Sequence, residues 1–334
     1  MGKLTLLLVL CVCIAGSLQS PRGFRNVDHL IEYINNANTT WKAGKNFDDS
    51  YSLEYVRGLM GVRRPVGALD YVESPAPVYS GIDIPKEFDP RVQWPECKSL
   101  SEIRDQGSCG GCWAFSSVEA MTDRLCIASK GKQQVELSGE DMVACSGAGG
   151  CGGGWPASAY GYYIRSGLVS GGLYDSHEGC QPYTIASCEH YITGQRPPCH
   201  KHYDPTPKCQ HSCVTGYNGT YQSDKHYGSK QYSFSNRNRD VQADIMTNGP
   251  VVAVFTVYED FLQYKSGVYK HLTGDVAGLH AVKIIGWGVE SGVDYWLVVN
   301  SWNPDWGNKG YFKIARGHDE GGIEGDIVAG LPKL

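Results

Sequence analysis

Apolar residues recur along this chain with two different periods, and the period changes partway through. Near the N-terminus, Val27, Leu30, Ile31 and Ile34 fall at i, i+3, i+4 and i+7 behind Asn26, whose side chain suits a helix cap. Phe115, Val118, Met121, Thr122 and Leu125 repeat the helical spacing, predicting a helix from Cys112 to about Ile127. A further helix is predicted over Val241–Met246, stopped by Asn248-Gly249-Pro250. After it the pattern becomes strand-like, with short β-branched and aromatic runs at Val251–Val257, Ala281–Ile285 and Tyr295–Val299. Helices first and strands later predict an α+β fold with two subdomains.

One run has neither period. Lys3 precedes the unbroken apolar stretch Leu4–Ala15, and Ala15-Gly16-Ser17 supplies small residues for cleavage. About a dozen apolar residues are too few for a membrane-spanning helix, which needs about 20. Residues 1–17 are therefore read as a signal peptide. The Asn-x-Thr triplets at Asn38 and Asn218 are candidate glycosylation sites on that route.

Composition narrows the function classes. The 334 residues carry a net charge of −5, so no nucleic-acid or polyanion surface is expected. Forty-two glycines and 21 tyrosines indicate a loop-rich fold rather than a helical bundle. Of 13 cysteines, Cys11 and Cys13 lie in the leader, and the remaining odd number leaves at least one thiol unpaired in an oxidising compartment. Residues 18–83 contain no cysteine and pass from a helical pattern to a looser stretch holding Arg63-Arg64-Pro65, Pro75 and Pro77. They read as a pro-segment, with the main domain over 84–334.

Gln106-Gly107-Ser108-Cys109-Gly110-Gly111-Cys112-Trp113 is the most informative run. Its glycines turn the chain tightly into a helix start and leave Cys112 at the N-terminus. Unpaired N–H groups and the helix dipole there favour a thiolate. The same groups could hold an oxyanion, with Gln106 as a side-chain donor. Cys109 and Cys112 also form a C-x-x-C, which fits a redox pair or a structural disulfide. Zinc is disfavoured because no second paired element completes four ligands, and neither a metal nor a cofactor is expected.

A thiol nucleophile needs an imidazole. Among ten histidines, His280 opens a strand that ends in a glycine turn, and the next strand ends at Asn300-Ser301-Trp302. Glu290 lies midway, so a hairpin folded there sets His280 and Asn300 roughly opposite each other. Asn300 would then orient the imidazole, with Trp302 shielding the bond.

These segments resemble the cysteine, histidine and asparagine motifs of papain-like cysteine peptidases, although Gly111 stands where that family usually has Ser or Ala. The resemblance implies a papain-like fold, with a helical subdomain carrying Cys112 and a β-barrel-like one carrying His280 and Asn300. It implies peptide-bond hydrolysis through an acyl-thioester on a Cys112-His280-Asn300 triad. The 168 residues between Cys112 and His280 exceed the usual separation of about 130–150. The excess falls at Cys188–Cys199 and its flanks, about 186–206, which is similar to the occluding loop of the cathepsin B branch. There His190 matches a carboxylate-binding histidine with Asp105 as its expected anchor, and Arg196 would pair with Asp305. Tyr191 replaces the branch's second histidine, so release of C-terminal dipeptides is expected to be weakened.

The same resemblance pairs Cys97 with Cys126, Cys109 with Cys151, Cys145 with Cys209, Cys180 with Cys213 and Cys188 with Cys199. Trp113, Gly153, Gly154 and Trp302 would line the cleft, and Asp326 would face the second specificity pocket. Peptide and protein substrates, the chain's own propeptide and cystatin-type inhibitors are the implied partners of a monomer. The implied location is the secretory pathway, ending in lysosomes or outside cells. A thiol-disulfide oxidoreductase and a non-catalytic binding paralogue remain the alternatives.

Overall fold

The computed structural model describes residues 26–64, 74–191 and 196–334. The expected signal peptide lies outside them. Among the described residues, no helix is long and apolar enough to cross a membrane.

Seven α-helices are described: α1 Val27–Asn36, α2 Leu53–Gly58, α3 Pro90–Gln93, α4 Cys112–Ala128, α5 Gly139–Cys145, α6 Pro156–Arg165 and α7 Asn238–Asn248. The strands are β1 Trp41–Ala43, β2 Gly149–Gly150, β3 Gly153–Gly154, β4 Gly228–Phe234, β5 Val251–Tyr258, β6 Tyr264–Tyr269, β7 Val276–Glu290, β8 Val293–Val299, β9 Tyr311–Ala315 and β10 Ile327–Pro332. Asn26 caps α1 by accepting from His29 N, as its position suggested. The short α2, capped by Ser52, has too few residues to show a period and is not foreseen in the sequence.

β2 and β3 pair separately, and the other strands form one sheet in the order β1-β6-β9-β8-β7-β5-β10-β4. Only β6 and β9 run parallel. The sheet stays open among the described residues, so the barrel-like half is a curved sheet without closure. Its first edge is β1, where Trp41 pairs with Gly267, so the N-terminal segment contributes a strand to the main sheet.

α4 is buried from Cys112 to Ile127 and packs against β7, β10 and α6. Burial on all sides explains why its polar residues come in pairs. Asp123 accepts from Lys283 of β7 at 2.8 Å, and Arg124 pairs with Asp244 of α7 at 2.5 Å. Both pairs are fully enclosed, so removing one partner would strand a buried charge at a cost of about 3–5 kcal/mol. They fix α4 to β7 and α7 about three turns beyond Cys112.

Five disulfides join Cys97 to Cys126, Cys109 to Cys151, Cys145 to Cys209, Cys180 to Cys213 and Cys188 to Cys199.

The β7–β8 hairpin corrects one detail of the sequence reading. Its turn is Ser291-Gly292, both with positive φ, rather than a turn centred on Glu290. The register also slips between Ile284 and Gly286, and Lys283 pairs with Val299. His280 and Asn300 therefore meet diagonally instead of face to face.

Candidate active site

Gly107 has φ +59°, which lets the chain double back before α4 and bring Cys112 to the first helical position. Cys109 is bonded to Cys151, and Cys112 is the free cysteine among the described residues. That arrangement removes the Cys109/Cys112 redox pair from consideration. The Cys112 sulfur is buried and accepts from the Gly61 amide at 3.1 Å. Burial pushes the thiol up to about 11, against the opposing pull of the Ala281, Gly61 and Trp113 amides. In this closed form desolvation therefore opposes the thiolate that the helix terminus and three N–H donors favour.

His280 lies one residue before Ala281, whose amide reaches the sulfur. Its Nε2 stands 2.8 Å from Asn300 Oδ1. The direction of this bond is settled by Ser301, whose backbone N–H also donates to Asn300 Oδ1 at 2.8 Å. An atom receiving a backbone N–H must be the amide oxygen, so the imidazole donates from Nε2. Nδ1 of the neutral ring is then unprotonated, and it has no hydrogen-bond partner among the described residues. Trp302 covers this pair, its ring centroid 4.5 Å from that of His280. Burial lowers His280 to about 4, only partly offset by the Asn300 bond.

The third element is Gln106. Its Oε1 accepts from Ser301 Oγ at 2.7 Å, and its backbone N–H donates to Ser301 O at 3.0 Å. Its Nε2 is thereby aimed at Leu59 O, 2.8 Å away. Ser301 thus positions both the asparagine and the glutamine, a role the sequence did not suggest. Gly153 and Gly154 form the facing wall with Trp113 behind them. A side chain at Gly154 would meet the Trp113 ring at 2.5 Å, so only glycine fits there.

The family pattern described as papain family cysteine protease matches residues 84–331, and the peptidase family C1 propeptide pattern matches 27–65. The chain belongs to the papain family of cysteine proteases. It is 48% identical over 311 residues to a cathepsin B-like cysteine proteinase of Schistosoma japonicum, covering 92% of this chain and 91% of that one. Identity to cathepsin B-like cysteine proteinase 5 of Caenorhabditis elegans is 46% over 313 residues, covering 91% and 90%. The structure of proCathepsin B S9 from Trypanosoma congolense superposes with a TM-score of 0.77 at 34% identity, covering 92% of this chain and 98% of that one. This papain-family protease is therefore cathepsin B-like and carries its propeptide.

In this cathepsin B-like zymogen the propeptide fills the cleft through backbone contacts. Arg63 N donates to Gly154 O at 2.8 Å and Gly154 N to Gly61 O at 2.9 Å, in a parallel bridge. A Cβ at Gly61 would fall 1.7 Å from Gly110 O, so the segment can approach this closely only with glycine there. The group held against the sulfur is an amide N–H rather than a carbonyl carbon. The contact therefore blocks the thiol without offering it a bond to attack.

The Cys188–Cys199 loop departs from expectation at one anchor. Arg196 does pair with Asp305, and also with Glu189 at 3.2 Å. Asp105, however, accepts from the Gly107 and Cys188 amides at 2.8 and 3.1 Å and does not bond to His190. Burial pushes Asp105 up to about 6. Both His190 nitrogens are buried without partners among the described residues, and the ring packs edge-on against propeptide residues Phe47 and Tyr51. Burial, reinforced by the Arg196 charge, lowers His190 to about 4. Tyr191 beside it is half exposed.

Proposed function

We propose that Cys112 is the nucleophile of a peptidase that cuts within chains and also releases C-terminal dipeptides. Once the propeptide leaves, the thiol passes its proton to His280 Nδ1, and the thiolate attacks a peptide carbonyl carbon. Gln106 Nε2 and the Cys112 amide stabilise the oxyanion. His280 returns the proton to the departing amine as the C–N bond breaks, leaving an acyl-thioester. Water, deprotonated by His280, then displaces the sulfur and releases the acid. The observation carrying this reading is that Gln106 Nε2 already donates to a peptide carbonyl, Leu59 O, of the same segment whose Gly61 amide donates to the Cys112 sulfur.

Dipeptide release requires a grip on the substrate's terminal carboxylate, for which His190 and Tyr191 stand in the Cys188–Cys199 loop. A neutral phenol gives a hydrogen bond about half as strong as a cationic imidazole does. Tyr191→His is expected to raise the kcat/KM ratio of free-acid over amidated peptides by roughly threefold to tenfold. An unchanged ratio in that variant, from rates on matched peptides, would remove Tyr191 from the carboxylate site.

Asp326 is proposed to accept a basic side chain in the second pocket. Support comes from the propeptide's Arg64, which pairs with Asp326 at 2.8 Å and lies over the Trp155 ring at 4.8 Å. Asp326→Ala should lower the Arg-Arg to Phe-Arg reporter ratio by about threefold to tenfold, the modest figure reflecting a partly solvated pair. A constant ratio would place Asp326 outside the pocket. Secretion through an N-terminal signal, glycans on the exposed Asn38 and Asn218, cystatin-type inhibitors and action as a monomer complete the proposal.

A further inference from the structure

Among the described residues, the Lys265 side chain forms no ion pair or hydrogen bond, although it is half-buried. It begins the second position of β6 and contributes to a small cavity with His190, Tyr191, Trp302, Asp305 and Trp306. Two acids, Glu189 and Asp305, also line it, and Arg196 pairs with both. Burial holds the Lys265 ammonium below its usual value, with the Asp305 charge opposing that effect. A half-desolvated ammonium without a contact partner gains more from a carboxylate than a solvated surface lysine does.

The place of this cavity relative to the chemistry follows from Trp302. That ring stacks on His280 at 4.5 Å and also lines the cavity, so the space begins one ring beyond the imidazole. Two extended residues beyond a cleaved bond span about 7 Å, enough to carry a chain end past the Trp302 ring. In the zymogen the propeptide covers this space. Gly44 N donates to Gln263 O at 2.8 Å, a side chain at Gly44 would meet Lys265 Cγ at 2.9 Å, and Asn46 lines the cavity.

We propose that Lys265 is a carboxylate-binding residue of the mature enzyme, supplying the cation that Tyr191 lacks. The ligand is the free C-terminal carboxylate of a peptide two residues beyond the cut bond. This deepens the proposed dipeptide-releasing activity and rests on it. The carboxylate would lie between the Lys265 ammonium and the Tyr191 hydroxyl, with His190 on the loop side.

The test measures free-acid and amidated versions of one peptide on active-site-titrated wild type, Lys265→Met and Lys265→Arg. Wild type should prefer the free acid. Lys265→Met should lower the free-acid to amide ratio of kcat/KM roughly tenfold, mainly through KM, as for a lost charge-assisted hydrogen bond. Lys265→Arg should retain the ratio to within about threefold, since the charge persists. If Lys265→Met does not mature, Lys265→Gln is read in the same way. A wild-type preference that survives both neutral variants overturns the lysine's role and leaves dipeptide release standing. Equal loss in Lys265→Arg overturns it too, because packing rather than charge would then be at work. No free-acid preference in wild type overturns both readings.

Discussion

Cys112→Ser is expected to reduce peptide hydrolysis by on the order of 10⁴–10⁶-fold once the propeptide is removed by an added protease of another class. A hydroxyl has a far higher pKa than a thiol and is a weaker nucleophile at the same position. The oxyanion donors remain in the variant, so a small residual rate above the uncatalysed reaction should persist. The variant should fold, because Cys112 is the free cysteine and its loss opens no disulfide. Hydrolysis of a fluorogenic peptide, normalised to correctly processed protein, reads the effect. Residual activity above a thousandth of wild type would exclude Cys112 as nucleophile.

The second large effect concerns acid. Closed under the propeptide, His280 and His190 both have pKa values near 4 because burial disfavours the imidazolium. Exposed histidines titrate near 6.5. A group depressed in the closed form stabilises closure above its ordinary pKa, and that contribution is lost as pH falls toward the depressed value. The closed state should therefore be fully favoured above about pH 6.5 and weaken progressively down to about pH 4. Each histidine contributes up to on the order of a hundredfold. The thiol acts in the opposite sense. Raised to about 11, it favours closure until pH climbs past its ordinary value, and the effect is lost as pH passes through 11. The measurement uses Cys112→Ser cut near Ile84, so that propeptide dissociation is followed without self-digestion. Its Kd should rise at least about a hundredfold from pH 7 to pH 4, and His190→Gln should flatten part of that rise. A pH-independent Kd would mean that neither imidazole is released with the propeptide.

Much of this geometry was legible because its causes are local. Glycines before an apolar helical repeat gave the helix that starts at Cys112, and Asn26 announced the cap of α1. The strands β5, β7 and β8 followed from β-branched runs. The His280–Asn300 partnership was visible, but its register was not. The slip after Ile284 and the Ser291-Gly292 turn depend on pairing across strands rather than on spacing along one. Ser301 escaped notice for a related reason, since its bonds to Gln106 span almost two hundred positions. The packing of Phe47 and Tyr51 on His190 in the zymogen was hidden as well, since it joins segments more than a hundred positions apart. The β1 edge was likewise hidden, since three residues carry no recognisable period.

That edge has a consequence for the processed protein. While Trp41–Ala43 remains attached, it pairs with the outer edge of β6 from Tyr264 to Gly267. Cutting the chain near Ile84 and losing the leading piece bares a row of unsatisfied backbone groups along one margin. Such a margin invites a strand from another molecule. The cation at Lys265, the kink permitted by Gly267 with φ +85° and a second cation at Lys270 are features that discourage flat association there. Removal of the propeptide would thus exchange a self-capped border for one guarded by charge and curvature.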